Sequence, residues 1–263
     1  MERRVTIRTP AILLGVPIPG SENPYLAAPT GSATYSVSVE DCNRPELRAE
    51  DLVYSRSLRE LWISTLRGMG LGACASIRLD YSEGVSTKAG LYASASIALL
   101  YSLSKHYGET LSSMELVELA RYGDPHYTGE WGYVLDALRY SAAEGGLVAY
   151  RNDEEHYTIS RDVDARIELQ GSKDLGEPRV TKESLGSDVY SAIIHTMGVT
   201  VLEASLRLNE GASLVKVLGD LAPVHEGVMM IVWGTGEAGR CISSPSMPRS
   251  VEVICLEVQE RSG

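Results

Sequence analysis

The chain has 263 residues, of which 44% are hydrophobic and 22% charged. That is length for one large domain or two modest ones, at the balance of folded rather than disordered proteins. A formal net charge of -11 with no long basic run excludes nucleic acid as a favoured partner. The first residues lack the apolar core of a secretory leader, and no run of about 18 apolar residues stands out, so a cytoplasmic protein with no membrane partner is expected.

From Arg4, "RVTIRTPAILLG" alternates and then runs apolar, which predicts a strand ending at Gly15 before the loop "VPIPGSENP". "ATYSVSVED" alternates with period two and predicts a second strand. Pro45 opens a stretch in which Leu47, Leu58, Leu61, Trp62 and Leu66 fall near helical spacing, closed by Gly68 and Gly70. One amphipathic helix is expected there. "ACASIRLDYS" reads as a strand, and a helix follows from the loop at Glu83 and Gly84.

Ser112 with Glu115 three residues on has the spacing of a capping box ahead of the helix "MELVELARYG". "WGYVLDALRYSAAE" reads as helix up to Gly145 and Gly146, and "LVAYR" as a strand beyond them. The polar "NDEEHYTISRDVD" marks a change of character near residue 151. Past it come a strand "ARIELQG", a long helical region through Leu208, a short helix over 212–221, and strands "GVMMIVWG" and "VEVICLEVQ". Helices and strands interleave without a regular βα rhythm, so the fold class is α+β, with domains at 1–150 and 151–263.

Cys42, Cys74, Cys241 and Cys255 lie far apart, so buried free thiols are expected rather than a zinc site or a disulfide framework. The absence of phenylalanine and the excess of arginine over lysine suit a heat-adapted or GC-rich source. The five histidines show no metal spacing.

Chemistry is concentrated in "STKAGLYASAS", residues Ser86 to Ser96. A strand, a loop with Gly90 and small residues at a helix start make an anion site, because the first backbone N–H groups of a helix converge outward and serine and lysine side chains add donors. The alternative is that Ser94 and Ser96 cap or pad a helix whose small face packs on the sheet.

"KAGLYASAS" resembles the phosphate loop of the GHMP superfamily of small-molecule kinases, written Pro-x-x-x-Gly-Leu-Gly-Ser-Ser-Ala. Gly90, Leu91, Ser94 and Ala95 match, and Tyr92 and Ala93 stand where that family has Gly and Ser. "RTPAILLG" is similar to the family's first motif, and the order Gly132, Asp136, Gly145, Gly146 to its second. "WGTGEAGRCI" sits where a third glycine-rich motif belongs and is also similar to a pattern of the diphosphomevalonate decarboxylase branch.

The resemblance implies a two-domain GHMP-kinase-like fold. Its N-terminal α/β domain would be ribosomal-protein-S5-like and its C-terminal domain ferredoxin-like. It implies ATP and Mg2+ as cofactors and phosphorylation of a hydroxyl on a small anionic metabolite. Asp136 would orient or deprotonate that hydroxyl, and Lys88 would neutralise phosphate charge. Gly90, Leu91, Tyr92, Ala93, Ser94, Ala95 and Ser96 would hold the nucleotide. Arg8, Glu130, Gly132 and Arg240 would hold the substrate, and Ser94 and Glu118 the metal. Decarboxylation and non-catalytic ligand binding are the alternatives on the same fold. The apolar C-terminal strand "VEVICLEV" is expected to be either a central strand or an edge that pairs two copies into a homodimer.

Overall fold

The strands predicted at the N-terminus form and are long: β1 is Glu2–Gly15 and β2 is Tyr25–Asp41. The computed structural model describes residues 2–15, 23–50, 52–84, 87–129, 132–151, 156–159, 165–170, 183, 186–221, 233–235 and 255–260. Both strands change character along their length. β1 is exposed at its start and continuously buried from Thr9 to Gly15, and β2 is buried from Tyr25 to Ala28 before burial becomes intermittent. Unbroken burial is the mark of a strand covered on both faces.

Two compact units divide the chain, Met1–Ala11 with Gly31–Gly145, and Ile12–Thr30 with Gly146–Gly263. A single linear cut near residue 150 therefore differs from the observed division, which places the buried stretch of β1 and the start of β2 in the second unit.

In the first unit the expected helix from Pro45 is corrected. Its front is a strand, β3 (Glu46–Glu50), and only Ser55–Met69 forms α1. The reason lies in "ELRAE": Leu47 and Ala49 are buried between exposed charged residues, a period of two that pairs in parallel with β4 (Ala73–Gly84). β4 in turn pairs antiparallel with β2 from Asp41↔Ala73 to Gly31↔Gly84, giving the order β3-β4-β2. α1 buries Leu58, Leu61, Trp62 and Leu66, each 0% exposed. Trp62 also donates from its indole nitrogen to the Ala73 carbonyl at 3.1 Å. Burial of each such side chain contributes about 1.5–3 kcal/mol.

The thiol expectation is also corrected, because Cys42 and Cys74 form a disulfide with Cα atoms 5.6 Å apart. The antiparallel register sets Glu40 opposite Cys74, and the Cys42 N–H donates to the Gly72 carbonyl at 3.2 Å, so the strand ends bring together residues that sequence spacing keeps apart. Bridging a separation of 32 residues restricts the unfolded chain, and the chain-entropy account gives about 3–4 kcal/mol. Cys42→Ser is expected to lower denaturant stability by that amount. A dithiol reductant should reproduce the loss in the parent and add nothing in the variant.

The remaining elements of this unit are α2 (Lys88–His106), α3 (Ser113–Ala120), a 3-10 turn over Arg121–His126, another over Gly132–Val134, and α4 (Leu135–Glu144). Ser112 and Glu115 close the expected capping box on α3. α4 ends at Gly145, whose φ of 69 is the left-handed conformation that glycine adopts without a Cβ penalty.

In the second unit β5 (Leu147–Tyr150) pairs with Tyr25–Ala27 of β2 and with β6 (His156–Ile159). β6 lies inside the polar stretch after residue 151, where no strand is expected from the sequence. β7 (Ala165–Gln170), β8 (Trp233–Thr235) and β9 (Cys255–Glu260) form a three-stranded sheet in the order β7-β9-β8. Of the predicted strand "GVMMIVWG", residues 227–232 lie outside the described ones.

Two helices complete this unit, α5 (Ser187–Asn209) and α6 (Leu214–Leu221). α5 is long and apolar enough to cross a membrane by length and composition, which the sequence reading did not anticipate. Its Tyr190, Ile194, Met197, Val201, Ala204 and Leu208 recur every three or four residues and are buried in a core shared with Leu13, Leu26, Leu147 and Val217. That is the stripe of a helix packed on a protein core.

Candidate functional site

α2 begins earlier than a phosphate loop followed by a helix would require. Thr87 is its N-cap, accepting from the Gly90 N–H through its side chain at 2.9 Å and from the Leu91 N–H through its carbonyl at 2.9 Å. Gly90 to Ser96 therefore lie within the helix, and of these only Leu91 is more than slightly exposed. Lys88 is exposed and, with Ala89, occupies the first helical turn ahead of the capped pair.

The two serines have found partners inside the fold. Ser94 Oγ lies 2.7 Å from the Tyr35 hydroxyl and 3.0 Å from the Leu91 carbonyl to which it donates. Burial pushes the Tyr35 phenol up to about 12, with the Ser94 hydrogen bond acting in the opposite direction. Ser96 donates to the Tyr92 carbonyl at 2.8 Å. Gly90 is required by packing, since a Cβ there would stand 2.2 Å from the Pro10 carbonyl oxygen. Here the small residues serve close approach of the helix to β1.

Tyr92 points into the unit. Its ring is 0% exposed, 4.9 Å from the Tyr127 ring and 5.9 Å from Tyr54 in edge contact. Its hydroxyl is hydrogen-bonded to Ser57 Oγ, and Ser57 donates its own proton to the Gly123 carbonyl at 2.7 Å, so Tyr92 is the donor in the pair. Burial raises the pKa of Tyr92, partly offset by the charge of Arg139. Tyr54, the N-cap of α1, adopts φ 59, an uncommon conformation for a side-chain-bearing residue.

Under this aromatic group runs an ionic cluster that sequence reading did not resolve. Arg139, 0% exposed, has its guanidinium carbon 5.7 Å from the Tyr92 ring centre. It donates to Asp124 from both terminal nitrogens, one at 2.9 Å, and to Asp136 Oδ1 at 3.1 Å. Arg121 takes the other oxygen of Asp136, Nε at 3.0 Å and Nη2 at 2.9 Å. Burial works against the charge of Arg139, and Asp124, Tyr92 and Asp136 together outweigh it, so the guanidinium is held firmly protonated.

Asp136 is thus a carboxylate with a guanidinium on each oxygen, fixed at the start of α4. The signal for Arg139 is its place three residues after Asp136, on the same helix face. Nothing in the chain order marks Arg121 or Asp124 as its partners. Gly132 opens the 3-10 turn beside the Tyr127 ring, with an added Cβ at 3.5 Å. Arg8 on β1 and Glu118 on α3 are exposed and take no part in the hydrogen bonds of the cluster. Glu130 and Arg240 lie outside the described residues.

Among the described residues no group of three or more His, Cys, Asp or Glu side chains could hold a metal ion. The Ser94 hydroxyl is bonded within the fold, and Glu118 is exposed on α3.

No protein-family model matches the sequence, and no curated protein matches it. Solved structures do. The fold is similar to mevalonate kinase from Staphylococcus aureus at 16% identity and a TM-score of 0.52, over 87% of this chain and 78% of that one. It is similar to the Streptococcus pneumoniae phosphomevalonate kinase at 12% identity and 0.60, over 86% and 80%. Mevalonate diphosphate decarboxylase from Staphylococcus aureus is similar at 18% identity and 0.55, over 84% and 71%.

Proposed function

From a chain with the fold of the GHMP kinases, we propose an ATP-dependent enzyme that phosphorylates a hydroxyl of a small anionic metabolite. The observation that carries this reading is the likeness of fold over 84–87% of the chain to phosphotransferases and to a decarboxylase. The first turn of α2 is assigned to the nucleotide phosphates, with the exposed Lys88 beside it. Bound ATP would supply the phosphoryl group. No step is assigned to magnesium.

Asp136 holds a fixed orientation through Arg121 and Arg139. Its role in this reading is to orient the acceptor hydroxyl, because removing a proton outright would set an acid between two cations. Arg121, 35% exposed, can meet an anionic group of the metabolite alongside.

Asp136→Asn is expected to lower turnover of an identified hydroxyl substrate by about 100-fold or more, with near-normal substrate affinity. Full turnover in a folded variant would remove Asp136 from the mechanism. A non-catalytic role is the second reading, favoured by one observation: the hydroxyls of Ser94 and Ser96 and the N–H groups of Gly90 and Leu91 all have partners inside the fold. Release of carbon dioxide from a phosphorylatable hydroxy acid would instead place the protein with the decarboxylase.

A cytoplasmic setting, a small-molecule substrate and no nucleic-acid or membrane partner belong to the same proposal. Disulfides are rare in the cytosol of mesophiles but common in hyperthermophiles.

A further inference from the structure

The Cys42–Cys74 disulfide ties the residue after β2 to the start of β4, and both cysteines are half-buried rather than enclosed. Sulfurs within reach of solvent are the ones that exchange with external thiols. The connection after Cys42 brings the Arg44 carbonyl oxygen to the pair, 3.0 Å from Cys42 Sγ and 3.4 Å from Cys74 Sγ. A disulfide has no proton to give this oxygen. Two thiols have one each, and a carbonyl has two lone pairs to accept them, so the reduced form finds its acceptor in place. The ladder between β2 and β4 runs on to Asp41↔Ala73. Backbone pairing therefore keeps the two sulfurs close when the bond between them is broken.

The residues beside this bridge carry the far end of α2. Asp41 Oδ1 lies 3.0 Å from His106 Nε2, and the Tyr107 hydroxyl donates to the Gly72 carbonyl at 3.4 Å. That same carbonyl accepts from the Cys42 N–H at 3.2 Å. The rings of His106 and Tyr107 meet edge to face, with centres 4.9 Å apart. Asp41 and Gly72 each stand within two positions of a bridged cysteine.

We propose that Cys42 and Cys74 form a reversible thiol–disulfide switch that takes a dithiol as its reductant and controls how firmly the C-terminal end of α2 is docked on the sheet. A thiolate of the dithiol attacks one sulfur, the S–S bond breaks, and the other sulfur leaves as a thiolate that takes a proton. The second thiol then closes the reductant's own disulfide and releases the first cysteine, so two electrons and two protons pass to the protein. Without the cross-link the strand ends open locally and the helix end loses its seat. The middle of α2, buried at Leu99 and Leu100, stays in place. Disulfides in the mesophile cytosol are usually transient and redox-sensing, the use assigned to this one. The switch lies within the first unit and does not depend on the phosphotransfer reading.

The test treats the full chain, without denaturant, with dithiothreitol and then with oxidised glutathione. Alkylation of Cys42 and Cys74 is read by peptide mass, and backbone order parameters by NMR. Both cysteines are expected to be alkylated in the folded, reduced protein. The order parameters of His106 and Tyr107 should fall from about 0.85 to below about 0.6, with Leu99 and Leu100 still rigid. Oxidised glutathione should restore the first values. Cys42→Ser should show the low values from the outset and no response to the dithiol. Alkylation that requires denaturant, unchanged order at His106 and Tyr107 in the reduced protein, or an equal fall at Leu99 and Leu100 would each overturn it.

Discussion

Replacing Tyr92 with glycine is expected to destabilise the first unit by about 4–6 kcal/mol, the sum of a buried aromatic truncation and a glycine in a helix interior. On sequence grounds the same change looks like a restoration of a glycine at which phosphates are approached. In the structure the ring fills the space between Tyr54, Tyr127 and Arg139, and the hydroxyl anchors Ser57. Removing it opens a cavity over a buried charge and leaves Ser57 short of a donor. Total stabilities of domains are about 5–15 kcal/mol, so the variant should unfold early in denaturant. Tyr92→Phe, which keeps the ring and loses only the hydroxyl, should cost about 1–2 kcal/mol. Near-parent stability of the glycine variant would contradict the packing described for this residue.

Arg139→Met is expected to cost about 3–5 kcal/mol, although methionine fills much of the same volume. The loss comes from what stays behind: Asp124 would lose its bidentate partner and Asp136 one of two guanidinium contacts. Neutralising the stranded groups separates this from a packing effect. Arg139→Met combined with Asp124→Asn should recover a large share of the loss, whereas a volume effect would leave the double variant as unstable as the single one. Urea unfolding of parent, single and double variants reads the difference. A loss under about 1 kcal/mol in the single variant would mean that the cluster is worth no more than a surface pair.

Most helices and strands were legible in the sequence because they carry their own punctuation. The Ser112–Glu115 box and Gly145 mark helix ends by local hydrogen bonding, which needs no tertiary partner. β3 was hidden because five residues with two apolar positions fit a helical stripe as well as an alternating one. Its pairing with β4 decides the matter. The disulfide was hidden for a related reason, since only the antiparallel register brings Cys42 to Cys74.

For the site, the likeness of motifs led to the fold now seen in the solved structures. It was less informative about individual side chains. Ser94, Ser96 and Tyr92 read as ligand groups from their order, while burial and hydrogen bonding place them in the interior. Asp136 was singled out for its position before a glycine pair. That the aspartate is held by two arginines, one of them fifteen residues upstream, depends on the 3-10 turn at Arg121–His126 folding back on α4.

The central claim is that the start of α2 receives nucleotide phosphates, and calorimetric titration of the parent protein and of Lys88→Ala with ATP and magnesium tests it most directly. Saturable binding by the parent, weakened about tenfold in a folded Lys88→Ala variant, is the predicted result. Absence of any binding by the well-folded parent would contradict it and favour the non-catalytic reading.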